Sequence, residues 1–206
     1  MFEMIWIKLG ILLTGFLYAG LLPYTIRKGI RHVDIDLEKF TLSFLSNKEL
    51  YGKRYRRAYK RLLFAMALIN YGFFWLLSVF YDLGEFTGYM RYMDYSFASL
   101  ALLAFVPHNI HPLSFRHFGQ SLLRVIHNLL AVLVFLTIPT LIIAFQAAIL
   151  ADQPILGISG MVIVGMVILL TLASIIARGL NGLAEIVFIN GIGLWGIFVT
   201  IMTFIH

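Results

Sequence analysis

Long apolar stretches separated by short polar connections dominate the hydrophobicity pattern of this 206-residue chain. A helix needs about 20 apolar residues to cross the hydrocarbon core of a bilayer, which is ~30 Å thick. Six stretches reach or approach that length, and each predicts a transmembrane helix: residues 4–24, 62–81, 92–106, 127–150, 155–177 and 183–205. The third is the shortest, because Pro107 ends it. The pattern predicts an all-α, polytopic transmembrane helix bundle of about six spans.

A more polar segment, residues 25–61, separates the first two spans. Between Asp36 and Ser46 its apolar positions recur at helical spacing, which predicts a short amphipathic helix in the headgroup region. These positions are Leu37, Phe40, Phe44 and Leu45. Farther along, tyrosines recur every four residues among basic residues, at Tyr51, Tyr55 and Tyr59. This second pattern predicts a basic helix that continues directly into the second span.

The composition supports lipid as the main solvent of the chain. Hydrophobic residues make up 61% and charged residues only 13%, whereas a soluble domain averages about half and about a quarter. No polar stretch is long enough to fold separately, so residues 1–206 are predicted to form a single integral membrane domain. The chain has no cysteine, which excludes disulfides, thiolate metal sites and thiol nucleophiles.

The distribution of positive charge predicts an orientation in the cell (plasma or inner) membrane. All of the 16 Lys and Arg residues except Lys8 and Arg91 fall in connections on one side of the predicted bundle. The positive-inside rule assigns that side to the cytoplasm, which places the basic 25–61 loop inside and both termini outside. Anionic membrane lipids are the expected partners of this charge. Nucleic acid is not, because the basic residues lie against a bilayer that already supplies phosphates. A homo-oligomer remains compatible with the sequence.

Polar residues around the start of the fourth span predict a ligand site. If the chain is helical from Phe115, then His117, Arg124 and Asn128 share one face with His127 at its flank. Ionisable residues at membrane depth are expensive, and they indicate function by default. Arg178 and Glu185 come from the connection to the sixth span on the same side. These six residues predict a cytoplasmic-side pocket that binds the anionic headgroup of a lipid or other amphiphile.

Two other functions stay open at this stage. Imidazoles can ligate zinc, so His108, His111, His117 and His127 could form the centre of an intramembrane metal-dependent hydrolase that acts on a lipid. No metal-binding motif supports this alternative, and no cofactor is predicted. A small-solute transporter is the third candidate, although its mid-span positions would be expected to be more polar. Whether the chain is an enzyme is left undecided.

Glycines recur in the last two predicted spans, including Gly157, Gly160 and Gly165. Gly191, Gly193 and Gly196 match the letters of a dinucleotide fingerprint, but they lie inside a span where no strand can precede them. These glycines predict close helix packing instead.

Four short segments carry a resemblance to a known family: Leu42-Ser43-Phe44-Leu45, Phe105-Val106-Pro107, His127-Asn128-Leu129-Leu130-Ala131 and Gly182-Leu183-Ala184-Glu185, followed by Trp195. Their order resembles that in an uncharacterised family of six-span prokaryotic membrane proteins, a numbered domain of unknown function. That family is distantly similar to the animal DRAM- and Sfk-type membrane proteins. The first loop is more basic here than in the family. The resemblance implies a six-span bundle and no established reaction.

Overall fold

The structure is a computed structural model that describes residues 2–33, 35–83, 87–106, 108 and 118–205. Over these ranges the chain forms six α-helices and no β-strand. They are α1 (Phe2–His32), α2 (Lys48–Phe80), α3 (Thr87–Phe105), α4 (Phe118–Ile149), α5 (Pro154–Arg178) and α6 (Gly182–Ile205). All except α3 are long and apolar enough to cross a membrane. The predicted helical, multi-pass membrane bundle is therefore confirmed, with five to six helices as spans.

The helices form a closed ring. Each packs against its neighbours in sequence, and contacts between α1 and α6 close the series. Backbone groups cannot be hydrated inside a bilayer, so every segment that crosses it must satisfy its own hydrogen bonds, as helices do. The shortest connections, between α4 and α5 and between α5 and α6, favour antiparallel neighbours.

The segment between α1 and α2 differs from its prediction. The predicted amphipathic helix at Asp36–Ser46 is wrong: residues 37–39 form a turn, and a short 3₁₀ helix occupies Leu42–Ser46. Leu42 and Leu45 are buried against the bundle. Of the other apolar positions that were predicted, Leu37 and Phe44 are half-buried and Phe40 is exposed.

Both helices that flank this segment are longer than the predicted spans. Helix α1 continues through Pro23 to His32, past the expected end at residue 24. The predicted basic helix that runs into the second span is confirmed as α2. Asn47 caps it by accepting hydrogen bonds from the backbone N–H groups of Glu49 and Leu50 at 2.8 and 3.0 Å. Gly52, with φ +81°, breaks the regular helix one turn later, in a backbone region that glycine adopts without a steric penalty.

An aromatic cluster forms the centre of the core. Trp195 of α6 is fully buried and stacks on Phe74 of α2 with ring centroids 5.5 Å apart. Phe145 of α4 meets the indole edge-on at 6.1 Å. With its amide oriented to satisfy both partners, Gln146 accepts a hydrogen bond from Trp195 Nε1 at 2.8 Å and donates to the Leu156 carbonyl at 3.0 Å. Trp195 thus connects α2, α4 and, through Gln146, α5.

Glycines permit close helix contacts at most of the predicted positions. A β-carbon at Gly193 would lie 3.0 Å from the Ala19 backbone oxygen of α1, and one at Gly196 would lie 3.0 Å from the Tyr18 ring. The prediction is wrong at Gly165, where a β-carbon would meet no atom within 4 Å. Small residues therefore hold α1 and α6 in contact at mid-bundle.

Candidate functional site

An internal cavity of about 110 Å³ lies inside the ring of helices. All helices except α5 line it, and so does the 3₁₀ segment at Leu42 and Ser43. Its walls are largely hydrocarbon and aromatic. Polar side chains enter the lining at a few places only: Tyr18, Ser43, Tyr59, His127 and Glu185. An apolar cavity of ~150 Å³ is enough to hold benzene, so this one has room for a short stretch of hydrocarbon.

Glu185 lies in the first turn of α6 and faces the cavity. Its carboxylate accepts a hydrogen bond from the backbone N–H of Leu42 at 2.5 Å. Within the described residues neither Arg124 nor Arg178 forms an ion pair with Glu185. The carboxylate anchors a backbone segment, and no described side chain forms an ion pair with it.

Further hydrogen bonds fix the same segment to the start of α6. The backbone N–H of Gly182 donates to the Phe40 carbonyl at 2.9 Å, and that of Leu183 donates to the Leu37 carbonyl at 3.3 Å. The Asn181 side-chain amide donates to the Glu38 carbonyl at 3.2 Å. The first N–H groups of a helix have no partner within it, so the 37–42 segment supplies the acceptors. This arrangement holds Leu42 and Ser43 in the cavity wall.

His127, near the start of α4, points into the cavity and has one free ring nitrogen. Its Nδ1 lies 2.7 Å from the Val106 carbonyl oxygen, and because a carbonyl only accepts, Nδ1 carries the proton. Nε2 is buried without a hydrogen-bond partner in the described part of the chain. In the neutral imidazole, Nε2 is then a hydrogen-bond acceptor aimed at the interior.

Five of the six predicted pocket residues lie in the part of the chain that the structure describes. Two of them, His127 and Glu185, line the cavity. Arg124 is half-buried, and Asn128 and Arg178 are exposed. His117 lies outside the described residues. On α4 the face predicted to be functional carries Arg124 and Asn128, and the adjacent face, with His127, turns inward.

A second concave region lies between α1 and α2, and sequence reasoning missed it as a site. This basic groove has a volume of about 330 Å³, and Lys28, His32 and Arg54 are the cationic or titratable side chains that line it. Its floor is apolar. Two residues, Ile26 and Tyr59, line both the basic groove and the internal cavity. The basic groove and the internal cavity are therefore neighbours, with these two side chains between them.

Two of the four histidines proposed as metal ligands, His108 and His127, lie among the described residues. His108 and His127 are in ring contact, with centroids 5.0 Å apart, and His108 Nδ1 is also buried without a partner among the described residues. Burial, helped by the neighbouring His127 and Arg124, lowers the pKa of His108 from 6.5 to about 4. His108 is therefore neutral at pH 7, as a ligand must be. His111 and His117 lie outside the described residues, and the described ones contain no group of three potential metal ligands.

Comparison with protein-family models, with curated proteins and with solved structures finds no significant match. No family is identified. The resemblance to the six-span family stays a prediction.

Proposed function

We propose that the protein binds an amphiphile with an anionic headgroup, which lies in the basic groove while the first part of its tail enters the internal cavity. The observation that supports this proposal is that the two regions adjoin at Ile26 and Tyr59, which line both of them. Lys28 and Arg54 supply positive charge where an anion would lie. Beyond Tyr59 the lining is mainly hydrocarbon, which suits a tail. The proposal retains the predicted ligand class and moves the headgroup from the α4 face to the α1–α2 groove.

A six-span arrangement with the basic residues on the cytoplasmic side is part of the same proposal. It places the groove, the 35–46 segment and the start of α6 at the cytoplasmic interface, where anionic lipids attract cations by about 1 kcal/mol for each residue. The α4–α5 connection, which carries Asp152, then faces outward.

Binding by the purified protein tests the function directly. We expect native mass spectrometry in detergent to show retention of a 1-acyl-glycerol 3-phosphate, and at least about tenfold weaker retention of the neutral monoacylglycerol with the same tail. The phosphate interacts with two cations of the groove, and the neutral lipid does not. Equal retention of the two lipids would contradict the proposed function.

The orientation can be tested with single cysteines, because the chain has none of its own. Lys53→Cys in the basic segment should resist a membrane-impermeant maleimide in intact cells and react after the cells are opened. Asp152→Cys should react in both conditions. Both side chains are exposed on the protein surface, so a difference in labelling reports the side of the membrane. Labelling of Lys53→Cys in intact cells would reverse the assigned topology.

A further inference from the structure

The polar groups that line the cavity limit the class of amphiphile that can bind there. This inference rests on the proposed function. His127 lies level with Val106, the residue that follows α3, and Glu185 lies in the first turn of α6. Tyr59 is within electrostatic reach of Glu185. All three line the cavity. They surround the position through which a tail would pass after leaving the basic groove.

One of these groups, His127, requires a hydrogen-bond donor from the occupant, and a second, Glu185, has room to accept one. His127 donates through Nδ1 to Val106, so Nε2 of the neutral ring is left as an acceptor. Glu185 receives one donor, the Leu42 N–H, and the described residues supply no second one. Buried acceptors are normally satisfied, and leaving one unpaired is costly. A plain hydrocarbon chain at this level would leave His127 Nε2 unpaired.

We infer that the preferred occupant is a single-chain amphiphile with a hydroxyl or ammonium group between its anionic headgroup and its tail. The phosphate or other anion interacts with Lys28 and Arg54 in the groove. The hydroxyl or ammonium group donates to His127 Nε2 in the lining of the cavity. An ammonium group would also form an ion pair with Glu185, which no described residue does. The narrow cavity beyond accommodates one chain and leaves no room for a second.

Lipids that differ only at that one position test the inference. We expect a 1-acyl-glycerol 3-phosphate, which has a free 2-hydroxyl, to bind about tenfold more tightly than its 2-deoxy analogue with the same tail. The 2-amino analogue should also bind more tightly than the 2-deoxy one. Isothermal titration in detergent micelles gives the three dissociation constants. Equal affinities would overturn the inference and leave the proposed function standing. Failure of every phosphate to bind better than the neutral monoacylglycerol would defeat both.

His127→Asn isolates the acceptor. An asparagine amide can keep a donor near the position of Nδ1, and therefore the bond to Val106, while it removes Nε2. The advantage of the 2-hydroxyl lipid over the 2-deoxy lipid should fall to less than about twofold in this variant. Retention of the full advantage would contradict the assignment to His127.

The wild-type comparison does not depend on the variant, so the inference stays testable if His127→Asn fails to fold. Elemental analysis of the same wild-type sample tests whether His127 binds a metal ion. One zinc per chain that is lost in His127→Asn would show that Nε2 binds a metal, and it would overturn the role given to the ligand hydroxyl.

Discussion

Replacing Trp195 with alanine should destabilise the folded protein by about 3–5 kcal/mol, the usual cost of removing a large buried aromatic side chain. The indole is fully buried, stacks on Phe74 and meets Phe145 edge-on. Its loss leaves a cavity between three helices and removes the donor to Gln146. In a membrane protein the hydrophobic effect adds little between helices, so lost packing contacts dominate the cost. A thermal melt of the purified variant in detergent measures the change.

Trp75→Ala is the matched control. Trp75 lies on the same helix as Phe74, but 49% of its surface is exposed on the outside of the bundle. We expect its replacement to change the melting temperature by only a small fraction of the Trp195 effect. Equal losses in both variants would show that the cluster around Trp195 does not hold the ring of helices together.

The double variant Lys28→Gln, Arg54→Gln should lower the affinity for the anionic amphiphile by about 30-fold. Each cation contributes about 1 kcal/mol near an anionic group, and two such contributions amount to that factor. Both side chains are exposed at the rim of the groove, so the bundle itself should melt at an unchanged temperature. The loss should be largest at low ionic strength, because salt screens exposed charges. Binding of the 1-acyl-glycerol 3-phosphate by titration measures it.

Lys53→Gln, Arg57→Gln provides the control. These residues lie on the same helix, carry the same charge and are exposed, but they do not line the groove. Their replacement should change the affinity by less than about threefold. A similar loss in both double variants would mean that the basic helix attracts anions in general and that the groove holds no defined headgroup.

The helices themselves could be read from the sequence with little ambiguity. In lipid, a segment of 20 apolar residues has no alternative to a helix that satisfies its own backbone, so α2, α4, α5 and α6 are found where the apolar runs predicted them. The boundaries were less accurate. Charge ended the predicted first span at residue 24, but α1 continues to His32, because a helix can leave the membrane and keep its hydrogen bonds.

The inward face of each helix could not be read in the same way. In a soluble protein, polar residues mark the outer face, whereas a membrane bundle is apolar both inside and outside. On α4, His127 and Asn128 are neighbours, and nothing in the sequence indicates which of them faces inward. In the structure His127 is buried and Asn128 is exposed. The basic groove was missed for a related reason. The groove depends on which side of α1 faces α2. That side is fixed by the contacts of α1 with other helices, such as those of Tyr18 and Ala19 with Gly193 and Gly196 of α6.

The close contact of α1 and α6 also sets a limit on length. On α6 the residues that line the cavity run from Glu185 to Gly193, where α6 touches Ala19, and on α4 they run from His127 to Ile138. At 1.5 Å for each residue these stretches measure about 12 and about 17 Å. Any longer tail would have to turn sideways into the surrounding lipid, and carbon atoms beyond that depth would add nothing to affinity. The glycines that let α1 and α6 touch would thereby limit the length of tail that the cavity can hold. Larger residues in their place would shorten that length.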